Sequence, residues 1–222
     1  MQPAEPSPRP LLPELRLIRY DLSEDELLRR CAEARALGLP SVLVAPADVD
    51  AAARALSASS TVLGAIIDPD GNLTTAIRQY AVRDALRRGA RLIEAGIGAA
   101  KMFSRHFQHV ESDLQQLVEP CRQTGAMFRL AIRPWARNAE ELEILTARLA
   151  RRTGVDVIIS PDAEQARRLL GLSKDTYRVA WHAETEAVPE AQTADLERIS
   201  IMHERPAELI AQLARPAPPP QP

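Results

Sequence analysis

Short apolar runs rich in β-branched residues alternate with longer segments of helical period along most of this chain. The runs lie at 15–20, 41–45, 61–67, 91–95, 127–132, 155–160, 177–181 and 199–202. Near-continuous apolar strands separated by helices are typical of parallel sheets that are covered on both faces. Eight such units predict an α/β fold, a TIM (β/α)8 barrel with parallel strands. An open doubly wound sheet is the competing architecture, but no glycine fingerprint follows the first run.

Capping and turn residues mark the ends of the predicted helices. These helices lie at 23–37, 48–56, 74–88, 107–124, 139–153, 163–170 and 206–214. Ser23 and Glu26 have the spacing of a capping box, and Gly38 closes the same helix. The segment Asp68–Gly71 has the composition of a turn. Residues 183–197, between the seventh and eighth strands, have little helical character, so we expect an irregular connection there.

Proline-rich segments flank the predicted barrel. We therefore predict an N-terminal tail at 1–13, a barrel domain at 14–214 and a C-terminal tail at 215–222. Such tails favour extended polyproline conformations and contribute little to a packed core. They either remain unpacked or lie along a partner.

Composition excludes several classes of protein. Of the 222 residues 45% are apolar and only 4% aromatic, so aliphatic side chains must build the core. The net charge of −2 gives no attraction to nucleic acid. Cys31 and Cys121 fall inside predicted helices, which favours buried thiols over a disulfide. No apolar stretch approaches the roughly 18 residues of a membrane span, and we expect a cytoplasmic protein.

Motifs that bind cofactors are missing from the sequence. There is no Gly-x-Ser-x-Gly elbow, no P-loop and no zinc-ribbon spacing, and we expect no cofactor and no metal. His182 and His203 follow neighbouring strands and are the one weak metal-ligand pair. His106 and His109 fit a polar helix face better than a metal site.

Four segments carry a family resemblance. They are Ser23–Cys31, Ser41–Pro46, the turn Asp68-Pro-Asp-Gly-Asn-Leu-Thr-Thr75 and the strand-four segment Gly89–Lys101. The turn is similar to a Phe-Pro-x-Gly-x-x-Thr-Thr motif. From about Asp21 to Leu170 the chain resembles deoxyribose-phosphate aldolase. The resemblance implies a barrel, and an aldolase that works through a lysine imine.

The resemblance also implies where the reactive residues should lie, and most are replaced. Ile159 stands where the family has its imine-forming lysine, and His182 where a second lysine tunes the first. Glu94 stands where the family has an aspartate that shuttles protons. Glycines that cradle phosphate have no counterpart after strand six or strand seven. An arginine cannot replace the lysine, because its guanidinium does not lose its proton.

The two lysines of the chain, Lys101 and Lys174, are both predicted on the surface rather than on a strand. Trp135 and Trp181 are predicted to be packing residues. These predictions leave no obvious replacement for the missing nucleophile.

The remaining candidate site residues are charged groups near the carboxyl ends of strands. We expect ligand-binding roles to fall on Glu94, Arg129, Arg133 and His182 if the protein binds a small molecule. Strand alternation aims Glu94 and Arg129 into the barrel, and buried charges need partners. We therefore predict that Glu94 and Arg129 form an ion pair.

Three functions fit this pattern. The favoured hypothesis is a catalytically degenerate aldolase-like barrel, a pseudoenzyme that serves as a structural or protein-binding subunit with protein partners or as a homo-oligomer. The alternative is a divergent lyase that acts on a small carbonyl compound, with Glu94 and His182 as acid and base. The third is a sensor that binds a small molecule in the remaining pocket.

Overall fold

A closed barrel of eight parallel strands forms the centre of the protein in the computed structural model. The structure describes residues 13–18, 21–133, 135, 139–174, 176–183 and 199–201. The strands are β1 (Pro13–Leu17), β2 (Ser41–Val44), β3 (Val62–Ile67), β4 (Leu92–Gly96), β5 (Met127–Ala131), β6 (Val157–Ser160), β7 (Arg178–Ala183) and β8 (Ile199–Ile201). Each strand pairs with the next, and β8 pairs with β1. The predicted TIM barrel is therefore confirmed.

Helices follow the strands on the outside of the barrel. They are α1 (Glu24–Ala36), α2 (Val49–Ala55), α3 (Thr75–Arg87), α4 (Ala99–Phe103), α5 (Phe107–Thr124), α6 (Ala139–Thr153) and α7 (Ala163–Ser173). All but the short α4 were predicted from the sequence. The predicted helix at 206–214, residues 1–12 of the predicted N-terminal tail, the tail at 215–222, and residues 184–197 of the predicted irregular connection lie outside the described residues.

Local side-chain chemistry sets the helix ends. The Ser23 hydroxyl accepts a hydrogen bond from the Glu26 N–H at 3.3 Å, which is one half of the predicted capping box, while the Glu26 carboxylate accepts from Arg29 at 3.1 Å. Gly125 closes α5 with a φ of +68°, a left-handed conformation that glycine adopts without strain. These caps fix where the chain leaves each helix and returns to the barrel.

Apolar side chains fill both faces of the sheet. β2, β4 and β6 are buried along their whole length, as expected for strands between a lumen and a helical layer. Leu43, Ile66 and Leu92 pack together as one apolar cluster, and Val157, Ile159 and Ala180 pack as another. The core is thus a barrel wall whose inner side carries both apolar and charged residues.

The predicted buried thiols are confirmed. Cys31 in α1 and Cys121 in α5 are both unoxidised and almost fully buried. Burial raises the pKa of Cys31 to about 11 and that of Cys121 to about 12. No helix in the described part of the chain is both long enough and apolar enough to cross a membrane.

Candidate functional site

Two ion pairs occupy the inside of the barrel. In the first, Arg16 of β1 donates to both carboxylate oxygens of Glu94, at 2.8 and 2.6 Å. Glu94 is only 1% exposed. Both of its oxygens are therefore already bound by a cation in a site that water barely reaches.

The second ion pair joins the same strand to β5. Arg129 donates from Nη1 to both oxygens of Glu14, at 2.8 and 2.7 Å, and the Ser41 hydroxyl donates to Glu14 at 2.8 Å. Arg129 is 1% exposed and Glu14 is 2% exposed. We call Glu14, Arg16, Glu94 and Arg129 the lumen charge network. It holds two positive and two negative groups, so its formal charge is zero.

The predicted ion pair between Glu94 and Arg129 is wrong. The two residues are register neighbours on β4 and β5, but each binds a residue of β1 instead. The physical reason is that β1 presents an acid and a base, Glu14 and Arg16, on one face of the strand. The alternation Glu-Leu-Arg-Leu at 14–17 was the available signal, but the predicted strand began at residue 15 and lost it.

Ile159 lies on β6, at the place where the aldolase resemblance asks for a reactive lysine. It is 3% exposed and packs with Val157 and Ala180. The next residue, Ser160, donates a hydrogen bond to Gln165 at 2.6 Å. An apolar side chain in an apolar cluster offers no nucleophile at this position.

The remaining predicted ligand-binding residues lie apart from the lumen charge network. Arg133 follows β5 and forms a surface ion pair with Asp70, at 2.6 Å from Nη2 to Oδ1, with side-chain exposures of 69% and 50%. His182 lies in β7, in register with Ser200, but its side chain is outside the described residues. His203 is outside them too. The structure therefore does not bring the predicted set of Glu94, Arg129 and Arg133 together.

Both tryptophans are packing residues, as predicted. Trp135 meets Phe103 edge to face with ring centroids 5.7 Å apart, and Trp181 donates to the carbonyl of Pro161 at 3.1 Å. Both side chains are largely buried.

A second cluster of buried charge lies outside the barrel wall and was missed by sequence reasoning. Arg78 of α3 is 2% exposed, donates to Asp113 of α5 and to the carbonyl of Gly96, and lies 3.3 Å from the Asp68 carboxylate. We call Asp68, Arg78 and Asp113 the outer cluster. It contains one cation and two carboxylates, so it carries one excess negative charge.

Close backbone packing positions the outer cluster. The predicted turn is present, and Gly71 N–H donates to the Asp68 carbonyl at 3.0 Å. The turn presses against the end of β4 so tightly that a Cβ on Gly96 would lie 2.1 Å from the Pro69 carbonyl oxygen. A side chain larger than that of glycine therefore cannot be accommodated at position 96 without moving the turn that carries Asp68.

Lys101 and Lys174 lie where the sequence predicted, away from the strands. Lys101 is exposed on α4 and Lys174 caps the C-terminal end of α7. His106 precedes α5 and His109 lies in its first turn. Within the described residues, no three His, Cys, Asp or Glu side chains are grouped closely enough to hold a metal ion.

Comparison with known proteins gives a consistent set of relatives. No protein-family model matches the chain. It is 27% identical over 135 residues to the deoxyribose-phosphate aldolase of Bacteroides thetaiotaomicron, which is 60% of this chain and 56% of that protein. It is 24% identical over 143 residues to the Streptococcus sanguinis enzyme, 64% of each chain. The chain thus spans less than two thirds of the length of these relatives.

Solved structures agree on the fold. A putative deoxyribose-phosphate aldolase from Coccidioides immitis superposes with a TM-score of 0.78 at 15% identity, over 86% of this chain and 80% of that one. The tetrameric deoxyribose phosphate aldolase of Aeropyrum pernix superposes with a TM-score of 0.73 at 16% identity, over 85% and 84%. The resemblance and the barrel expected from the sequence are both confirmed.

Proposed function

Because this chain is a divergent relative of the deoxyribose-phosphate aldolases, we propose that it is a catalytically degenerate barrel that serves as a structural or protein-binding subunit. In this proposal the chain keeps the barrel of the aldolases but has lost the imine chemistry. Fold alone does not carry function, so the proposal depends on the state of individual residues.

The burial of Ile159 and the hydrogen-bond partners of Glu94 are the main support for the proposal. The imine position is an isoleucine at 3% exposure, and both oxygens of the only acidic residue on β4 are held by Arg16. A general acid or base must reach the proton that it transfers. Glu94 would first have to leave Arg16, which would expose an unpaired charge in a buried site.

An exposed apolar surface on α3 supports a protein-binding role. Ile77 and Tyr80 share one face of the helix and are 52% and 69% exposed, and Leu73 just before the helix is 48% exposed. We propose a second copy of this chain as the occupant. In an antiparallel pairing centred near Ile77, Leu73 meets Tyr80 of the other copy, and exposed Arg83 approaches Asp70, whose carboxylate also binds Arg133 of its own chain.

Borohydride trapping tests the loss of imine chemistry. The protein is mixed with acetaldehyde, reduced and weighed by mass spectrometry, beside a lysine-free variant, Lys101→Arg/Lys174→Arg. Both lysines are exposed and can be alkylated without a binding site, so we expect the extra adduct of the wild type to rise with acetaldehyde concentration without saturating. A saturable adduct that requires either lysine, together with aldol turnover, would contradict the proposal.

Light scattering after gel filtration tests the self-association surface. We expect the wild type to be a dimer or larger, and Tyr80→Glu to shift it towards the monomer. Gln115→Glu makes a charge change at an exposed position of α5 and should leave the mass unchanged. A wild type that stays monomeric at all concentrations would contradict the proposed occupant.

The alternative function is a lyase that acts on a small carbonyl compound, with Glu94 and His182 as acid and base. His182 supports it, because it lies in the C-terminal half of a barrel strand, where residues of such barrels act. Screening aldol and retro-aldol substrates with Glu94→Gln and His182→Ala as controls distinguishes the two. Turnover that both substitutions abolish would favour the lyase.

A further inference from the structure

A cleft lies outside the barrel wall, where the N-terminal end of α3 meets α4 and α5. Its volume is about 540 Å³, and the turn before α3 forms one of its walls. Arg78, Lys101, His109 and Asp113 are among its lining residues. This volume falls within the range of small-molecule sites. The lumen charge network lies on the other side of β4 and contributes nothing to the cleft.

Asp113 is a buried acceptor with spare capacity. It is 7% exposed and its Oδ2 is bound by Arg78, but its Oδ1 has no hydrogen-bond partner within the described residues. A buried carboxylate oxygen without a donor is costly. The outer cluster already has an excess negative charge, so this side of the cleft calls for a group that donates a hydrogen bond.

The opposite side of the cleft favours an anion. Thr74 precedes α3 and makes no side-chain cap, so the first N–H groups of that helix keep their donor capacity. Lys101 and His109 lie nearby on the cleft lining, both exposed and without an ion pair in the part of the chain that the structure describes. Unsatisfied N–H groups and the helix dipole attract negative charge, and the ammonium of Lys101 adds to it.

We propose that this cleft binds a small hydroxylated anion. Its anionic group lies at the N-terminal end of α3 beside Lys101, and a hydroxyl donates to Oδ1 of Asp113. Phosphate esters and carboxylates share this chemistry. The proposal does not rest on the loss of imine chemistry, because none of these residues belongs to the barrel lumen, but Leu73 lines both the cleft and the proposed contact between copies.

Titration of the ¹⁵N-labelled full chain, followed by the amide signals of Thr75, Ala76 and Ile77, tests the site. Glycerol 3-phosphate is compared with propyl phosphate, and glycerate with propionate, so that each pair differs in hydroxyl groups. We expect saturable shifts with the hydroxylated member of one pair and roughly tenfold weaker binding of its partner, the size of one hydrogen bond to a charged group. The pair that responds identifies phosphate or carboxylate.

Two lysine variants provide the matched control. Lys101→Gln should weaken binding several-fold, whereas Lys174→Gln, at the C-terminal end of α7, should leave it unchanged. Asp113→Asn should reduce the preference for the hydroxylated ligand. The proposal is overturned if no ligand gives saturable shifts, if both members of each pair bind equally to the wild type, or if the two lysine variants behave alike.

Discussion

The lumen charge network and the outer cluster both bury an arginine against carboxylates, but they differ in balance and in access. The lumen charge network pairs two carboxylates with two guanidiniums, and β1 supplies a partner to both Glu94 and Arg129. Among the described residues, Nε and Nη2 of Arg129 have no hydrogen-bond partner. The outer cluster has one carboxylate in excess, a carboxylate oxygen with no donor among the described residues, and a cleft beside it. A charge-balanced network serves the fold, whereas an unbalanced cluster beside a cleft is suited to a ligand.

The largest expected loss of stability comes from removing one charged side chain of the lumen charge network. Arg129→Met removes the guanidinium that donates to both oxygens of the buried Glu14 carboxylate. We expect the free energy of unfolding to fall by about 3–5 kcal/mol, the range for removing one partner of a buried pair. Urea unfolding followed by circular dichroism measures it.

Arg133→Met is the matched control, because it removes an arginine that is paired with a carboxylate on the surface. Its side chain is 69% exposed, so we expect a change of about 0–1 kcal/mol. Equal losses in the two variants would show that burial does not separate the two kinds of pair.

The outer cluster should tolerate the loss of one carboxylate better. In Asp113→Asn the Asp68 carboxylate still neutralises Arg78, and the excess negative charge disappears. We expect a loss of about 1–3 kcal/mol from the weakened hydrogen bond, measured in the same unfolding experiment beside Ser112→Ala, an exposed neighbour. A loss as large as that of Arg129→Met would mean that the outer cluster is as tightly balanced as the lumen.

The barrel could be predicted from the sequence because its strands and helices produce local periodicities in the positions of apolar residues. The capping residues and apolar runs each involve neighbours in the chain, and the strand and helix bounds agree to within a few residues. The short α4 escaped because five residues do not complete two helical turns.

The contacts of the site could not be predicted in the same way. Glu14 and Arg129 are 115 residues apart, and Arg78 and Asp113 are 35 residues apart. Which acid meets which base depends on strand register and on how far each side chain reaches, and neither is a property of a local window. The choice of Arg129 as the partner of Glu94 assumed that adjacent strands supply adjacent partners, and β1 offered both residues a better geometry.

The two cysteine thiols are buried like the two charged clusters, but they are neutral, and their effect on stability depends on pH. The pKa of the Cys31 and Cys121 thiols is raised by burial from an ordinary value of 9.0 to about 11 and about 12. The folded state therefore keeps these protons above pH 9 after the unfolded chain has lost them. The stability that this gives is complete below pH 9 and declines as the pH rises through the folded-state values.

We expect the free energy of unfolding to fall by about 2 kcal/mol between pH 9 and 10 from the two thiols together, about 1 kcal/mol each, since one differential proton is worth about 1.4 kcal/mol per pH unit. Cys31→Ala/Cys121→Ala should show a shallower decline over the same range. Identical slopes in the two proteins would contradict the role of the thiols.

The smallest expected effect distinguishes a helix N-terminus that has a side-chain cap from one that has none. Ser23 caps α1 with its hydroxyl, whereas Thr74 makes no such bond at α3. We therefore expect Ser23→Ala to lower the free energy of unfolding by about 0.5–1 kcal/mol and Thr74→Ala by only a few tenths. If Thr74→Ala costs as much as Ser23→Ala, its hydroxyl already satisfies the helix in solution, and the N-terminal end of α3 loses its capacity to receive an anion. A small cost at Thr74, reproduced in urea melts at two ionic strengths, leaves those N–H groups open to a ligand in the cleft.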